Sequence, residues 1–116
     1  MQHDFRACLW DVRQAADAIL EFVSGIDLET YAERQVIHSA VERKFQIIGE
    51  ALNQLSKADP TLAVSIPDLP QIVAFRNVLI HGYAVVEHPR VWRIIQESLP
   101  PLRAKVAALL DQLGPP

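Results

Sequence analysis

The sequence predicts an all-α fold, most simply an antiparallel bundle of four or five helices. Apolar residues recur at intervals of three and four over long stretches, as they do along one face of a helix. No stretch shows the strict alternation of a half-buried strand. The chain has 116 residues, half of them hydrophobic and 22% charged, which suits one domain with a real core over residues 1–116 and is too short for two. It has no internal repeat, low-complexity segment or domain boundary.

The first helix is expected from about Asp4 to Ser24. Phe5, Cys8, Leu9, Val12, Ala16, Ile19, Leu20 and Val23 form its apolar stripe, with Asp4 as N-cap and Gly25 as C-cap. Trp10 falls off this stripe, as an edge residue or part of a partner surface. Asp27 caps a second segment, beginning as a short helix from Leu28 to Glu33 in which Tyr31 reads as amphipathic packing. The main run, roughly Arg34 to Ser56, carries Ile37, Ala40, Val41, Phe45, Ile48, Leu52 and Leu55. Gly49 in its middle costs about 1 kcal/mol against alanine, which suggests that another helix comes close there. Glu50 beside it is either a solvated charge or the partner of an arginine, Arg76 or Arg43.

Lys57 to Pro67 reads as the one clear loop, with Asp59, Pro60, Ser65 and Pro67 as turn formers. Asp68 is the expected cap of the next helix, Pro70 lies in its first turn, and the helix runs to about His81 or Tyr83. Ile72, Val73, Phe75, Leu79 and Ile80 would turn most of its surface to a core. A further helix starts at His88-Pro89 with Val91, Trp92, Ile94, Ile95 and Leu99. Pro100-Pro101 should break or kink it before Leu102, Val106, Leu109, Leu110 and Leu113 continue the stripe.

Composition excludes several classes. A single cysteine, Cys8, allows no internal disulfide and no metal cluster of its own, and on the apolar face it reads as a small core residue. No run is long and apolar enough to span a membrane and the N-terminus is no signal peptide, so a cytoplasmic location is the default. The net charge of −3 argues against a broad nucleic-acid surface, so any RNA contact must be local, at a pocket. Eight of the eleven basic residues are arginine, a bias that suits phosphate recognition. His3, His38, His81 and His88 show no recognised metal spacing, and the scattered glycines form no phosphate-cradling loop.

The chemistry concentrates in Phe75-Arg76-Asn77-Val78-Leu79-Ile80-His81-Gly82-Tyr83. Arginine offers a planar fork of donors to phosphate oxygens, histidine exchanges a proton near neutral pH, and tyrosine stacks on a base or donates a hydroxyl. Together they suit a phosphodiester, with no metal required. The plain alternative makes Arg76 a surface charge, His81 a hydrogen-bonded core histidine and Tyr83 a plug at the helix end. On a helix Asn77 and His81 are stacked at i, i+4, and Arg76 and Tyr83 lie about 20° apart. Arg76 and His81 diverge by about 140°. They meet one ligand only if the helix ends near Gly82, where glycine loosens the backbone, or if a second copy of the chain contributes.

Arg76, His81 and Tyr83 form an R-x4-H-x-Y pattern within R-N-x-L-I-H-x-Y, unbroken here from Arg76 to Tyr83. Upstream, Val41-Glu42-Arg43-Lys44-Phe45-Gln46-Ile47-Ile48-Gly49-Glu50-Ala51 ends in I-I-G-E-A, and downstream Val91-Trp92 through Ile95 reads V-W-x-I-I with Leu99-Pro100 following. R-x4-H alone is a weak signal, but these elements in order over nearly the whole chain resemble HEPN-domain proteins, specifically the HepT-like toxin ribonucleases of type VII HepT/MntA (HEPN/MNT) toxin–antitoxin systems. The resemblance implies a homodimeric helical-bundle endoribonuclease with no metal and no cofactor, the two motifs facing each other across the dimer cleft. Arg76 would then bind the scissile phosphate and His81 act as general base or acid while a ribose 2′-hydroxyl attacks phosphorus, leaving a cyclic phosphate end. Asn77 would orient His81 or touch the phosphate. It also implies a minimal nucleotidyltransferase antitoxin that adenylylates Tyr83, placing a bulky negative group beside Arg76. The competing expectation is a noncatalytic module that binds a nucleotide or only docks that nucleotidyltransferase; the acidic charge balance leans that way, whereas the intact Arg76, Asn77, His81 and Tyr83 lean to the enzyme.

Overall fold

The computed structural model describes residues 5–82 and 86–114, and among them it contains helices and no strand. In chain order these are α1 (Phe5–Phe22), α2 (Leu28–Glu33), α3 (Gln35–Ala58), α4 (Pro60–Val64), α5 (Leu69–His81), α6 (His88–Arg93), a π-helical turn (Ile94–Ser98) and α7 (Leu99–Leu113). The fold is all-α, as the periodicity predicts. The expected cap Asp4 and the motif residue Tyr83 lie outside the described residues.

α3 is the central helix, packed between α1 and α5, while α7 lies against the other side of α1. The stripes explain why. Cys8, Leu9, Val12, Ala16 and Ile19 of α1 and Val41, Phe45, Ile48, Leu52 and Leu55 of α3 are all buried, giving each helix one continuous apolar face for the other. α5 runs antiparallel to α3: Phe75 meets Phe45 edge to face at 5.4 Å, Ile72 and Arg76 approach Gly49, and Leu69 and Pro70 share a recess with Asn53 and Ser56 near the far end of α3. α2 and α6 pack together against the N-terminal half of α3. α1 and α7 are also joined at the surface, where Arg103 Nε donates to Asp17 Oδ1 at 2.7 Å.

Side-chain caps start two of the helices, α2 and α4. The Asp27 side chain accepts the Thr30 amide at 2.8 Å and starts α2, as its position suggested. The stretch Lys57–Pro67, expected to be loop, instead holds the end of α3 and all of α4. Asp59 accepts the Leu62 amide at 3.0 Å and Pro60 occupies the first turn, so the residues that resembled a turn are the N-cap and leading proline of a helix. Asp68 departs from expectation in the opposite sense. It has a left-handed backbone (φ 58°) and makes no side-chain cap bond. Pro70 has no amide hydrogen, so one of the two groups a cap normally serves is absent.

Pro100-Pro101 neither breaks nor ends the last helix. α6 passes into the π-helical turn, closed by Leu99 N donating to Ile94 O, and α7 begins with both prolines in its first turn. The wider turn moves the preceding carbonyls out of the path of the proline rings, which an α-helical turn would not do. Val91, Ile95, Leu99, Leu102 and Val106 therefore stay on one buried face across the junction.

A candidate anion site at Arg76

The site is built where α5 crosses Gly49. A Cβ at residue 49 would lie 2.7 Å from Arg76 Cγ, 3.5 Å from the Ile72 carbonyl oxygen and closer still to Arg76 Cβ. Only glycine allows α5 this near, which is the close approach that a mid-helix glycine suggested. The approach brings the Arg76 guanidinium onto the next residue of α3, and Arg76 Nη2 donates to Glu50 Oε2. Of the two expectations for Glu50 the pairing holds, and Arg76 rather than Arg43 is its partner. Arg43 Nη1 instead donates to Gln46 Oε1 at 3.2 Å. Gln54 Nε2 donates to the other Glu50 oxygen at 3.3 Å, so the carboxylate is held from two sides.

The Arg76 fork is oriented a second time by its neighbour, with Nη1 donating to Asn77 Oδ1 at 2.9 Å. The arginine side chain is 23% exposed, and its Nε is buried with no hydrogen-bond partner among the described residues. Arg76 lines a shallow pocket of about 230 Å³ together with Glu50, Arg43, Asp11, Ile47 and Ile80. This is smaller than the roughly 300–1,000 Å³ of a typical small-molecule site. An arginine held by two acceptors at the edge of an opening is oriented before any ligand arrives.

His81 closes α5 and is exposed. The helix does end as expected, for Gly82 has φ 64° and its amide donates to Val78 O at 3.2 Å. His81 itself is still helical, however, so this ending does not swing it toward Arg76, and it does not line the Arg76 pocket. The structure thus brings Arg76, Asn77 and Glu50 together and leaves His81 on a different side of the same helix. α5 also buries less than its composition suggested. Ile72 and Phe75 are buried, Val73 and Leu79 only partly, and Ile80 is 49% exposed at the pocket rim.

Tyr31, read as amphipathic packing, is instead fully buried. Burial first, and then the charge of Glu42, hold its hydroxyl well above the ordinary tyrosine range. The histidines that looked unarranged also need correction, because His38 and His88 come together with Glu42 beside that tyrosine. The i, i+4 spacing of His38 and Glu42 was visible in the sequence; the arrival of His88 from another helix was not.

The fold and this site define a class: an all-α domain with an arginine oriented by Glu50 and Asn77 at an open pocket. The HepT-like ribonuclease family model matches residues 12–109, and the chain belongs to that family. It is 30% identical over 107 residues to "Putative RNase MJ1380" of Methanocaldococcus jannaschii, covering 90% of this chain and 95% of that one. "Probable ribonuclease HepT" of Thermococcus cleftensis is 29% identical over 109 residues, covering 94% of this chain and 98% of that one. "Putative RNase TTE0752" of Caldanaerobacter subterraneus subsp. tengcongensis is 30% identical over 107 residues, covering 92% and 95% respectively. No solved structure matches significantly. Among the described residues no helix is long and apolar enough to cross a membrane.

Proposed function

We propose that this protein is the toxin of a toxin–antitoxin pair, a metal-independent endoribonuclease that works as a homodimer. Membership of a ribonuclease family supports the reaction class, and the names of its relatives agree. The observation that carries the reading here is Arg76, held by Glu50 and Asn77 where it lines the pocket. In this reading Arg76 receives the scissile phosphate and neutralises the charge that grows on its oxygens during attack. His81 of one protomer takes the proton of the ribose 2′-hydroxyl as that oxygen bonds to phosphorus. The phosphorus–O5′ bond breaks, and the departing oxygen takes a proton from His81 of the second protomer, leaving a 2′,3′-cyclic phosphate and a 5′-hydroxyl. The divergence of Arg76 and His81 on one helix, the small pocket and the exposed Ile80 at its rim all favour a site completed by a second copy.

The same reading makes Tyr83 the target of a minimal nucleotidyltransferase antitoxin. An adenylate there would place a phosphate near Arg76 and repel RNA. Co-expression with such an enzyme should add the mass of at least one adenylate, and a Tyr83→Phe variant should add none. The cleavage test is purified protein with RNA in EDTA, wild type beside His81→Ala. Cleavage by the wild type alone supports the assignment. Equal cleavage by both removes His81 from the chemistry. Inactivity of both, with Tyr83 unmodified by mass spectrometry, moves the reading to the noncatalytic nucleotide-binding or docking module, which the shared charge of Arg76 and Glu50 also accommodates.

A further inference from the structure

We propose that His38, Glu42 and His88 form a binding site for a divalent transition-metal ion that braces the start of α6 against α3. His38 and Glu42 are one turn apart on α3 and share a face, with His38 Nδ1 3.8 Å from Glu42 Oε2. His88 is the first residue of α6, and its ring centroid lies 4.3 Å from that of His38. One potential ligand atom from each of the three lies within 4.8 Å of the other two. Ligand atoms around a tetrahedral ion at about 2.0–2.1 Å are roughly 3.3–3.5 Å apart, so closing the site asks for side-chain adjustments of about 1 Å. All three residues are partly buried, and the His38 and Glu42 side chains are 17% and 24% exposed.

Two independent features distinguish this cluster from an ordinary surface group. His88 Nδ1 is buried and has no hydrogen-bond partner among the described residues. The fully buried Tyr31 lies 6.1 Å from His38 and 5.8 Å from His88 between ring centroids, and its hydroxyl also lacks a partner among them. Polar atoms buried without partners are uncommon and costly, so two of them beside a carboxylate mark a cluster that a bound ligand would stabilise. A cation held by the two imidazoles and the Glu42 carboxylate is such a ligand. A water in the fourth position would then have the Tyr31 hydroxyl as a neighbour. Two nitrogen donors and one carboxylate select zinc and neighbouring first-row ions over magnesium or calcium, which favour oxygen.

The site is separate from the anion site, since Glu42 precedes Glu50 by roughly 12 Å along α3. Its consequence is mechanical. α6 also carries Arg90, whose guanidinium carbon lies 5.5 Å from the centroid of Phe75, next to Arg76. Fixing the first residue of α6 to α3 therefore steadies the surroundings of the motif while contributing no step of the reaction.

The test uses full-length protein without a polyhistidine tag, stripped with EDTA, desalted and titrated with Co2+. The expected result is a set of visible bands of four-coordinate intensity, saturating at one equivalent per chain, displaced by Zn2+ and not by Mg2+. His38→Ala and His88→Ala should lose the bands, and Glu42→Gln should weaken binding at least about tenfold. Circular dichroism verifies that each variant is folded, and the conservative Glu42→Gln keeps the test valid if a histidine variant unfolds. Zn2+ should raise the thermal midpoint of the wild type and leave that of Glu42→Gln nearly unchanged. Absent bands in the folded wild type, or bands that persist in both histidine variants, would overturn the proposal. Co2+ binding is read by its bands and RNA cleavage by its products, so either assignment can fail without the other.

Discussion

α3 carries two polar constellations about two turns apart, and they are built on opposite principles. Around Glu50 the charges are matched: Arg76 meets Glu50 and Asn77, and Gln54 holds the second carboxylate oxygen. Around Glu42 the groups are two imidazoles, a carboxylate and a phenol, with His88 Nδ1 and the Tyr31 hydroxyl unpartnered among the described residues. The first cluster centres on a cationic fork already oriented by two acceptors, with Nε its one buried atom without a partner among the described residues, and that suits an anion. The second gathers two imidazole nitrogens and a carboxylate, whose lone pairs suit a cation. One helix can serve both because neighbouring elements, α5 at one level and α6 at the other, supply the complementary half.

The largest expected effect breaks the first constellation. Arg76→Lys keeps the charge but loses the fork, so one ammonium cannot serve Glu50, Asn77 and a phosphate together. RNA cleavage rates should fall on the order of 100-fold, a loss of the size seen when one oriented donor is removed from a transition state. Gly49→Ala strikes the same place through packing. Overpacking against Arg76 should cost about 1–3 kcal/mol, partly offset by about 1 kcal/mol of helix propensity, so urea denaturation should show a net loss together with reduced cleavage.

A smaller effect sharpens the second constellation. Tyr31→Phe removes a buried hydroxyl without a partner, and the metal-free protein should gain up to about 1 kcal/mol in urea denaturation. With Zn2+ bound that gain should shrink or reverse. Smallest is a control outside both. The Thr30 backbone amide, through its hydrogen bond, lowers the Asp27 carboxyl below its ordinary value of 3.8. A folded-state value below the unfolded one means that this contribution is present above the ordinary value and fades as pH falls through the lower, folded value. Asp27→Asn keeps a good cap at neutral pH. It should flatten the acid limb of stability slightly, as read by urea midpoints across acidic pH.

Much of the frame was legible locally. The stripes of α1 and α3, the Asp27 cap and the helix ending at Gly82 all depend on residues within a turn or two of one another, and the glycine inside α3 marked where another helix comes close without saying which. The same Asp-Pro signals misled at Asp59-Pro60, because an N-cap followed by a leading proline resembles a turn until the next residues are seen to coil. They misled again at Asp68, where the left-handed backbone set the helix start without the carboxylate. Pro100-Pro101 shows the limit of a breaker rule: a π-helical turn relieved the clash that should have ended the helix.

By itself, then, the sequence determined the long helices, most of their buried faces and the family motif, though not the short α4, since periodicity, capping and spacing act over a few residues. Only the tertiary structure decided which arginine Glu50 holds, that Ile80 faces outward, and that His88 joins His38 and Glu42. Those outcomes depend on which helices lie side by side and at what level, and that is settled by the packing of whole apolar faces.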